Sequence, residues 1–184
     1  APTYRWDDRS ERKMVQMVID AFPIIQKTME ELGGIFTIRL HPHTWRSYSA
    51  RFNVALPNFD RIELDTDKDI YNRMERYSIL ISDYSSIAYD FLLLNRPLIF
   101  FCYDKEIYLR KEGGLKHDYD EYSPGRQTVT WEETMQAVRD YTAHPELDEA
   151  WRLRIRNEYF YDYANDENNS ERLVSEIKRR LDLN

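Results

Sequence analysis

The clearest architectural signal lies in residues 78–103, which read SILISDYSSIAYDFLLLNRPLIFFCY. The apolar run Ser78–Ile81 predicts a strand buried on both faces, and the polar turn after it leads into an apolar helix over Ile87–Leu94. That helix ends ahead of Pro97, and Leu98–Tyr103 predicts the next strand. A strand, a helix and a second strand in this order form the repeating unit of a parallel sheet.

Other segments of the chain repeat this alternation of short strands and helices. Apolar runs at Ile35–Leu40 and near Arg61–Leu64 predict two further strands. The charged, tyrosine-rich segment Asp104–Gly125 is predicted to be mostly loop. A helix is predicted to begin after an N-cap at Ser10, to be interrupted at Pro23 and to end at Gly33-Gly34. Further helices are predicted near Ile70–Tyr77, Trp131–Thr142, Glu146–Phe160 and Ser170–Leu181. The pattern predicts an α/β fold: a Rossmann-like parallel sheet flanked by helices, with its strands in the first two thirds of the chain.

Composition and charge exclude several classes of protein. The 184 residues are within the range of one domain. The sequence has 26 basic and 33 acidic residues, so its formal charge is −7. Nucleic-acid-binding domains, by contrast, usually carry a basic excess. We therefore predict no nucleic acid partner. The single cysteine, Cys102, excludes an internal disulfide, and the apolar runs are too short to span a bilayer.

Two predicted strand ends carry side chains suited to phosphate. His41 follows one strand, and Ser85 and Ser86 follow another directly at a helix start; ligands of open α/β sheets bind beyond such carboxyl ends. Backbone N–H groups and the helix dipole favour an anion there. Glycine-rich phosphate-loop motifs do not occur, so side chains and helix starts must do the binding. Asp90, one helical turn beyond Ser86, is placed to accept hydrogen bonds from a hydroxylated ligand group.

Structural roles for the same residues stay open at this point. Ser85 or Ser86 can serve only as an N-cap, which is worth about 1 kcal/mol. His41 can be a structural histidine at a strand end. A metal site formed by His41 and His43 is disfavoured, because Pro42 separates them and no third ligand is nearby. We therefore predict neither a metal nor another cofactor.

An ordered set of sequence blocks resembles the CDP-glycerol glycerophosphotransferase family, the teichoic acid polymerases and primases and the related capsule polymerases. The set spans almost the whole chain, and its order is more specific than any single block. Its members are Ala1–Arg5, Leu40–Pro42, Ser82–Ser86 with Asp90, Leu92–Phe100, Tyr119–Gly125 and Ser170–Arg172.

The resemblance implies the second half of a GT-B fold, in which two Rossmann-like domains enclose the active site. Residues 1–184 would be the nucleotide-binding domain of a longer protein whose N-terminal acceptor domain is missing here, and the innermost strand would lie upstream of Ala1. The implied reaction moves glycerol phosphate, or a similar polyol phosphate, from CDP-glycerol to a hydroxyl of a growing teichoic-acid-like or capsule polymer and releases CMP. The implied location is cytoplasmic, at the inner face of a bacterial membrane, with membrane association only through the missing part.

The resemblance also implies roles for individual residues. His41 would be the catalytic residue beside the phosphates, either as an acid or as an electrostatic stabiliser of the departing CMP. Substrate-binding roles would belong to Thr3, Arg5, Ser85, Ser86, Asp90, Ser170 and Arg172. Ser85 and Ser86 would hold the diphosphate, and Asp90 would contact the glycerol or ribose hydroxyls. The first and last blocks would complete the pocket.

Two other functions are compatible with the sequence. A GT-B glycosyltransferase would bind a nucleotide sugar and form a glycosidic bond. A non-catalytic α/β interaction domain would use the helix-start serines only as caps. Titration with CDP-glycerol and UDP-sugars distinguishes the three alternatives.

Overall fold

The computed structural model describes residues 7–67, 69–111, 117–160 and 168–181. The strands are β1 (Phe36–Ile38), β2 (Ile62–Leu64), β3 (Leu80–Ser82), β4 (Leu98–Phe101) and β5 (Arg126–Thr128). The α-helices are α1 (Asp8–Asp20), α2 (Phe22–Leu32), α3 (Pro42–Ala55), α4 (Ile87–Phe91), α5 (Lys105–Lys111), α6 (Tyr119–Tyr122), α7 (Trp131–Ala143), α8 (Glu149–Phe160) and α9 (Asn169–Arg180). Short 3₁₀-helices lie at Leu56–Asn58, Tyr71–Arg76 and Leu92–Leu94. Within these ranges, no helix has both the length and the apolarity that crossing a bilayer requires.

All strand pairs are parallel, which confirms the predicted α/β class. Strand β1 pairs with β2, and β4 lies between β3 and β5. Among the described residues no ladder joins β1 to β3, but both strands border the same two cavities. The first two residues of each strand line a cavity of about 520 Å³, whereas the last residue of each, Ile38 or Ser82, lines only one of about 70 Å³. The two strands therefore run in the same direction with a groove between them.

The sheet is covered on both faces, as strand β4 demonstrates. The side chain of Ile99 packs into a core formed with helices α1, α2, α3 and α7. Its neighbours Leu98 and Phe100 pack into a second core with α4, α6 and α8. Alternating residues of a strand point to opposite faces, so two apolar layers enclose β4. This central strand is buried along its whole length.

The predicted helix boundaries at the N-terminal end are partly confirmed. Helix α1 begins one turn earlier than predicted, because Asp7 rather than Ser10 is the N-cap. The Asp7 carboxylate accepts hydrogen bonds from the Ser10 N–H at 2.8 Å and from its hydroxyl at 2.9 Å. Pro23 lies in the first turn of α2, where its missing N–H costs nothing, and Gly33 ends that helix with a φ of 67°.

Several other expectations were wrong. Asp104–Gly125 contains helices α5 and α6 rather than mostly loop, and the Asp118 carboxylate caps α6 by accepting from two backbone N–H groups. The helix predicted near Ile70–Tyr77 is present as a 3₁₀-helix over Tyr71–Arg76. Strand β3 is only half-buried at its two apolar residues, because it borders the groove beside β1. Helix α3 and strand β5 were not predicted, and β5 lies beyond the first two thirds of the chain.

Cys102 is expected to be inert in the folded chain. Its side chain is 3% exposed, with Sγ 3.2 Å from the Tyr119 hydroxyl. Burial raises the pKa of the Cys102 thiol to about 11, and the thiolate is the reactive form. Alkylation by iodoacetamide at about pH 8 should therefore be about a hundredfold slower for the native chain than for the chain unfolded in denaturant. Equal rates in the two states would contradict this.

Candidate functional site

His41 is the N-cap of α3, directly beyond the end of β1. Its Nδ1 accepts a hydrogen bond from the His43 N–H at 3.2 Å. Because this lone pair is used, the neutral ring carries its proton on Nε2. The side chain is exposed, so the ring can present an N–H donor to a phosphate oxygen. This tautomer favours the role of stabiliser over that of acid, since loss of the Nε2 proton would leave an imidazolate.

The helix dipole at this edge of the sheet belongs mainly to α3. From the sequence we expect this dipole at the helix after Ser85 and Ser86, but α4 has only 5 residues, whereas α3 has 14. A macrodipole needs several aligned peptide units. The positive helix end that favours an anion therefore lies at His41.

The serine hydroxyls after β3 are not used as helix caps. Ser86 occupies the N-cap position of α4, but its side chain makes no capping hydrogen bond. Ser86 is exposed and Ser85 half-buried, and neither hydroxyl has a hydrogen bond within the described chain. Both hydroxyls are therefore available as hydrogen-bond donors beyond the carboxyl end of β3. The purely structural explanation of these serines loses its basis.

Asp90 has a partner that the sequence argument missed. Its Oδ2 accepts a hydrogen bond from the Tyr71 hydroxyl at 2.9 Å, which raises the pKa of that phenol. Tyr71 starts the 3₁₀-helix, where the Asp69 carboxylate accepts from its N–H at 2.9 Å. Asp90 is half-buried and partnered, which explains a carboxylate in an otherwise apolar helix. Tyr71 lies 19 positions before Asp90, and no sequence pattern indicates that these two side chains pair.

A buried ion-pair cluster orders the loops after β1 and β2. The Asp65 side chain is fully buried and lies 2.8 Å from Nη1 of Arg39 and 3.3 Å from Nη1 of Arg73. Arg73 Nε also lies 3.0 Å from the Asp67 carboxylate. Arg39 lines the cavity at the strand ends together with Ser82. These arginines fix the same edge of the sheet as His41, and the sequence argument did not single them out.

Of the four remaining predicted site residues, the structure describes Ser170 and Arg172. Thr3 and Arg5 are outside the described residues. Ser170 and Arg172 lie in the first turn of α9, a helix whose described side chains are all exposed or half-buried. The Arg172 guanidinium contacts the side chain of Asn169. Their role in the pocket stays a prediction.

Sequence comparison identifies the family of the chain. Residues 1–179 match the family described as CDP-glycerol:poly(glycerophosphate) glycerophosphotransferase. The chain belongs to this family. The match confirms the resemblance carried by the ordered blocks, and it covers every predicted site residue.

The relatives are enzymes of teichoic acid synthesis, and each is much longer than this chain. The teichoic acid poly(glycerol phosphate) polymerase of Bacillus subtilis (strain 168) is 29% identical over 96% of the chain and 23% of its own length. The glycerol-phosphate primase of the same strain is 25% identical over 98% of the chain and 43% of its own length. A solved structure of the wall teichoic acid polymerase TagF, soaked with CDPG, has 20% identity and a TM-score of 0.65 over 98% of the chain and 41% of its own. This likeness confirms the fold.

Proposed function

We propose that the chain is the donor-binding domain of a transferase that moves glycerol phosphate, or a similar polyol phosphate, from CDP-glycerol to a hydroxyl of a teichoic-acid-like or capsule polymer. The observation that carries the proposal is the set of hydrogen-bond donors at the strand ends. They are the His41 ring with the start of α3, and the hydroxyls of Ser85 and Ser86, which cap no helix, before α4. Family membership supports the same donor. Phosphoryl transfer depends mainly on positioning and electrostatic stabilisation, which such donors supply.

The reaction assigns a distinct task to each group. The acceptor hydroxyl oxygen attacks the phosphorus that carries glycerol, a new P–O bond forms, and the bond from that phosphorus to the bridging oxygen breaks. CMP leaves with the electron pair as a phosphate monoester, whose second pKa is about 6, so it needs no proton at neutral pH. His41 therefore stabilises the departing oxygens by donating from Nε2. Ser85 and Ser86 hold the diphosphate through their hydroxyls.

The polyol or ribose end of the donor is assigned to Asp90. A carboxylate accepts hydrogen bonds from hydroxyls, and the Tyr71 hydroxyl keeps Asp90 in place from one side. Thr3 and Arg5 are assigned to the phosphates, and Ser170 and Arg172 complete the pocket. The proton of the acceptor hydroxyl goes to a base in another domain.

The proposal includes a second domain that holds the acceptor. The relatives extend well beyond the matched region, which is 23% of the polymerase and 43% of the primase. The described strands follow the Rossmann order 3-2-1-4-5-6 if one further strand lies in the groove between β1 and β3. We assign that position to a strand of the parent protein that lies upstream of Ala1. The second domain would also attach the protein to the inner face of a bacterial membrane, in the cytoplasm. The charge of −7 on the present chain disfavours a nucleic acid partner.

Calorimetric titration tests the proposed donor. The chain should bind CDP-glycerol or CDP-ribitol more tightly than UDP-glucose, and without its acceptor domain it should transfer poorly. Tighter binding of UDP-glucose would favour a glycosyltransferase that uses nucleotide sugars. Binding of none of these nucleotides would favour an interaction domain.

Ser86→Ala tests the assignment of the diphosphate site. A hydrogen bond to a charged group is worth about 1.5–3 kcal/mol, so the affinity for CDP-glycerol should fall about tenfold or more. The melting temperature should stay the same, since the Ser86 hydroxyl caps no helix. Ser175→Ala, an exposed position in α9, is the matched control and should change neither quantity. Full affinity in Ser86→Ala would contradict the assignment.

A further inference from the structure

Glu11 is a fully buried carboxylate in helix α1. Its Oε1 accepts a hydrogen bond from the Thr44 hydroxyl. Its Oε2 has no hydrogen-bond partner among the described residues and lies 3.6 Å from Nδ1 of His43. Burying an ionisable group with one oxygen unsatisfied is costly, and an apolar side chain of similar volume would fill the space with less penalty. A carboxylate at this position therefore calls for a reason beyond packing.

The two carboxylate oxygens face consecutive residues of one helical turn. Thr44 and His43 both belong to the first turn of α3, and helices α1 and α3 pack together. His41 is the N-cap of this turn, and its Nδ1 accepts a hydrogen bond from the His43 N–H. A short chain of contacts thus leads from Glu11 through His43 to the ring of His41.

We propose that Glu11 is a positioning residue for His41. It holds the first turn of α3 so that the His43 N–H stays on Nδ1 of His41, and this keeps the proton of His41 on Nε2, where the donor diphosphate binds. Glu11 acts through α3 and does not contact the substrate. The inference rests on the proposed function only for the identity of the ligand, because the tautomer of His41 is a property of the unliganded chain.

Nitrogen-15 NMR of the histidine rings in the unliganded chain tests this inference, with His41 assigned by the signal lost in His41→Asn. The wild-type ring should be in the Nε2–H tautomer, and Glu11→Leu should give a mixture of the two tautomers. Affinity for CDP-glycerol should fall in proportion to the remaining fraction of the Nε2–H tautomer, which is about twofold for an equal mixture. Glu11→Gln retains the side-chain volume and an acceptor for the Thr44 hydroxyl. Its tautomer ratio and its affinity should therefore lie between those of the wild-type chain and of Glu11→Leu. Asp20→Asn removes an exposed carboxylate from the same helix and should change nothing.

The outcomes separate positioning from a structural role. A lower melting temperature with an unchanged tautomer and unchanged affinity would overturn the inference. If Glu11→Leu does not fold, Glu11→Gln decides by the same readouts, because it preserves the packing. If the wild-type chain binds no CDP-glycerol while the tautomer still shifts, the positioning role stands and the proposed function fails.

Discussion

Replacing His41 by asparagine is expected to lower the affinity for CDP-glycerol by about tenfold to a hundredfold without changing the melting temperature. Asparagine is among the best N-caps, so its side chain can accept the N–H that the ring nitrogen Nδ1 accepts in the native chain. It has no donor at the place of Nε2. The substitution therefore removes the proposed contact to phosphate and retains the start of α3.

Calorimetry and thermal unfolding of two further variants complete this experiment. His41→Ala loses both the donor and the cap, so it should lose the same affinity and in addition about 1 kcal/mol of stability. His144→Asn changes an exposed histidine at the end of α7 and should leave affinity intact. Wild-type affinity in His41→Asn would show that the ring is structural. A melting temperature as low as that of His41→Ala would show that asparagine does not replace the cap.

Gly125→Ala is expected to cost about 3 kcal/mol of unfolding free energy, near the upper end for overpacking a core. Gly125 precedes β5 and passes directly over β4. A Cβ at this position would lie 2.1 Å from the carbonyl oxygen of Leu98. That oxygen belongs to the backbone of a fully buried strand and cannot move without displacing its neighbours. The edge strand β5 must therefore shift away from β4.

Urea unfolding of three glycine variants measures this cost. Gly34→Ala is the matched control, since its Cβ would contact only the flexible Met29 side chain at 3.4 Å. Gly33→Ala should be intermediate, at about 1–2 kcal/mol, because its φ of 67° is left-handed but its Cβ would meet no atom within 4 Å. A cost at Gly125 no larger than at Gly34 would contradict the proposed close approach.

The strand–helix–strand unit at residues 78–103 was predictable because burial and periodicity coincide there. Leu98–Phe101 is buried in every residue, and an uninterrupted apolar run is the sequence expression of that environment. Strand β5, Arg126–Thr128, has no such signal: two of its three residues are exposed at the edge of the sheet. Helix α3 buries only Thr44, Tyr48 and Phe52, which is too narrow a stripe for the pattern to reveal.

The candidate site was predictable only where one residue follows a strand directly. His41 and Ser86 are predicted as site residues because the carboxyl ends of parallel strands collect ligand-binding groups. The Tyr71–Asp90 and Arg39–Asp65 contacts join residues 19 and 26 positions apart, and single-sequence patterns do not carry such pairings. The tautomer of His41 was equally out of reach, because it depends on which backbone N–H the ring accepts.

Because a groove separates β1 from β3, the alignment of the two halves of the proposed phosphate site depends on helix packing. His41 belongs to the part built on β1 and β2, and Ser86 to the part built on β3, β4 and β5. Helix α2 packs on the first part and α7 on the second, and the two helices contact each other, with Arg139 bridging to Glu31 at 2.7 Å and to Thr28 at 3.0 Å. A small slide of α2 along α7 would change the separation of His41 and Ser86 while leaving each strand ladder intact. Among the described elements, the packing of α2 on α7 thus contributes to the span available to the proposed diphosphate, although neither helix contains a predicted site residue.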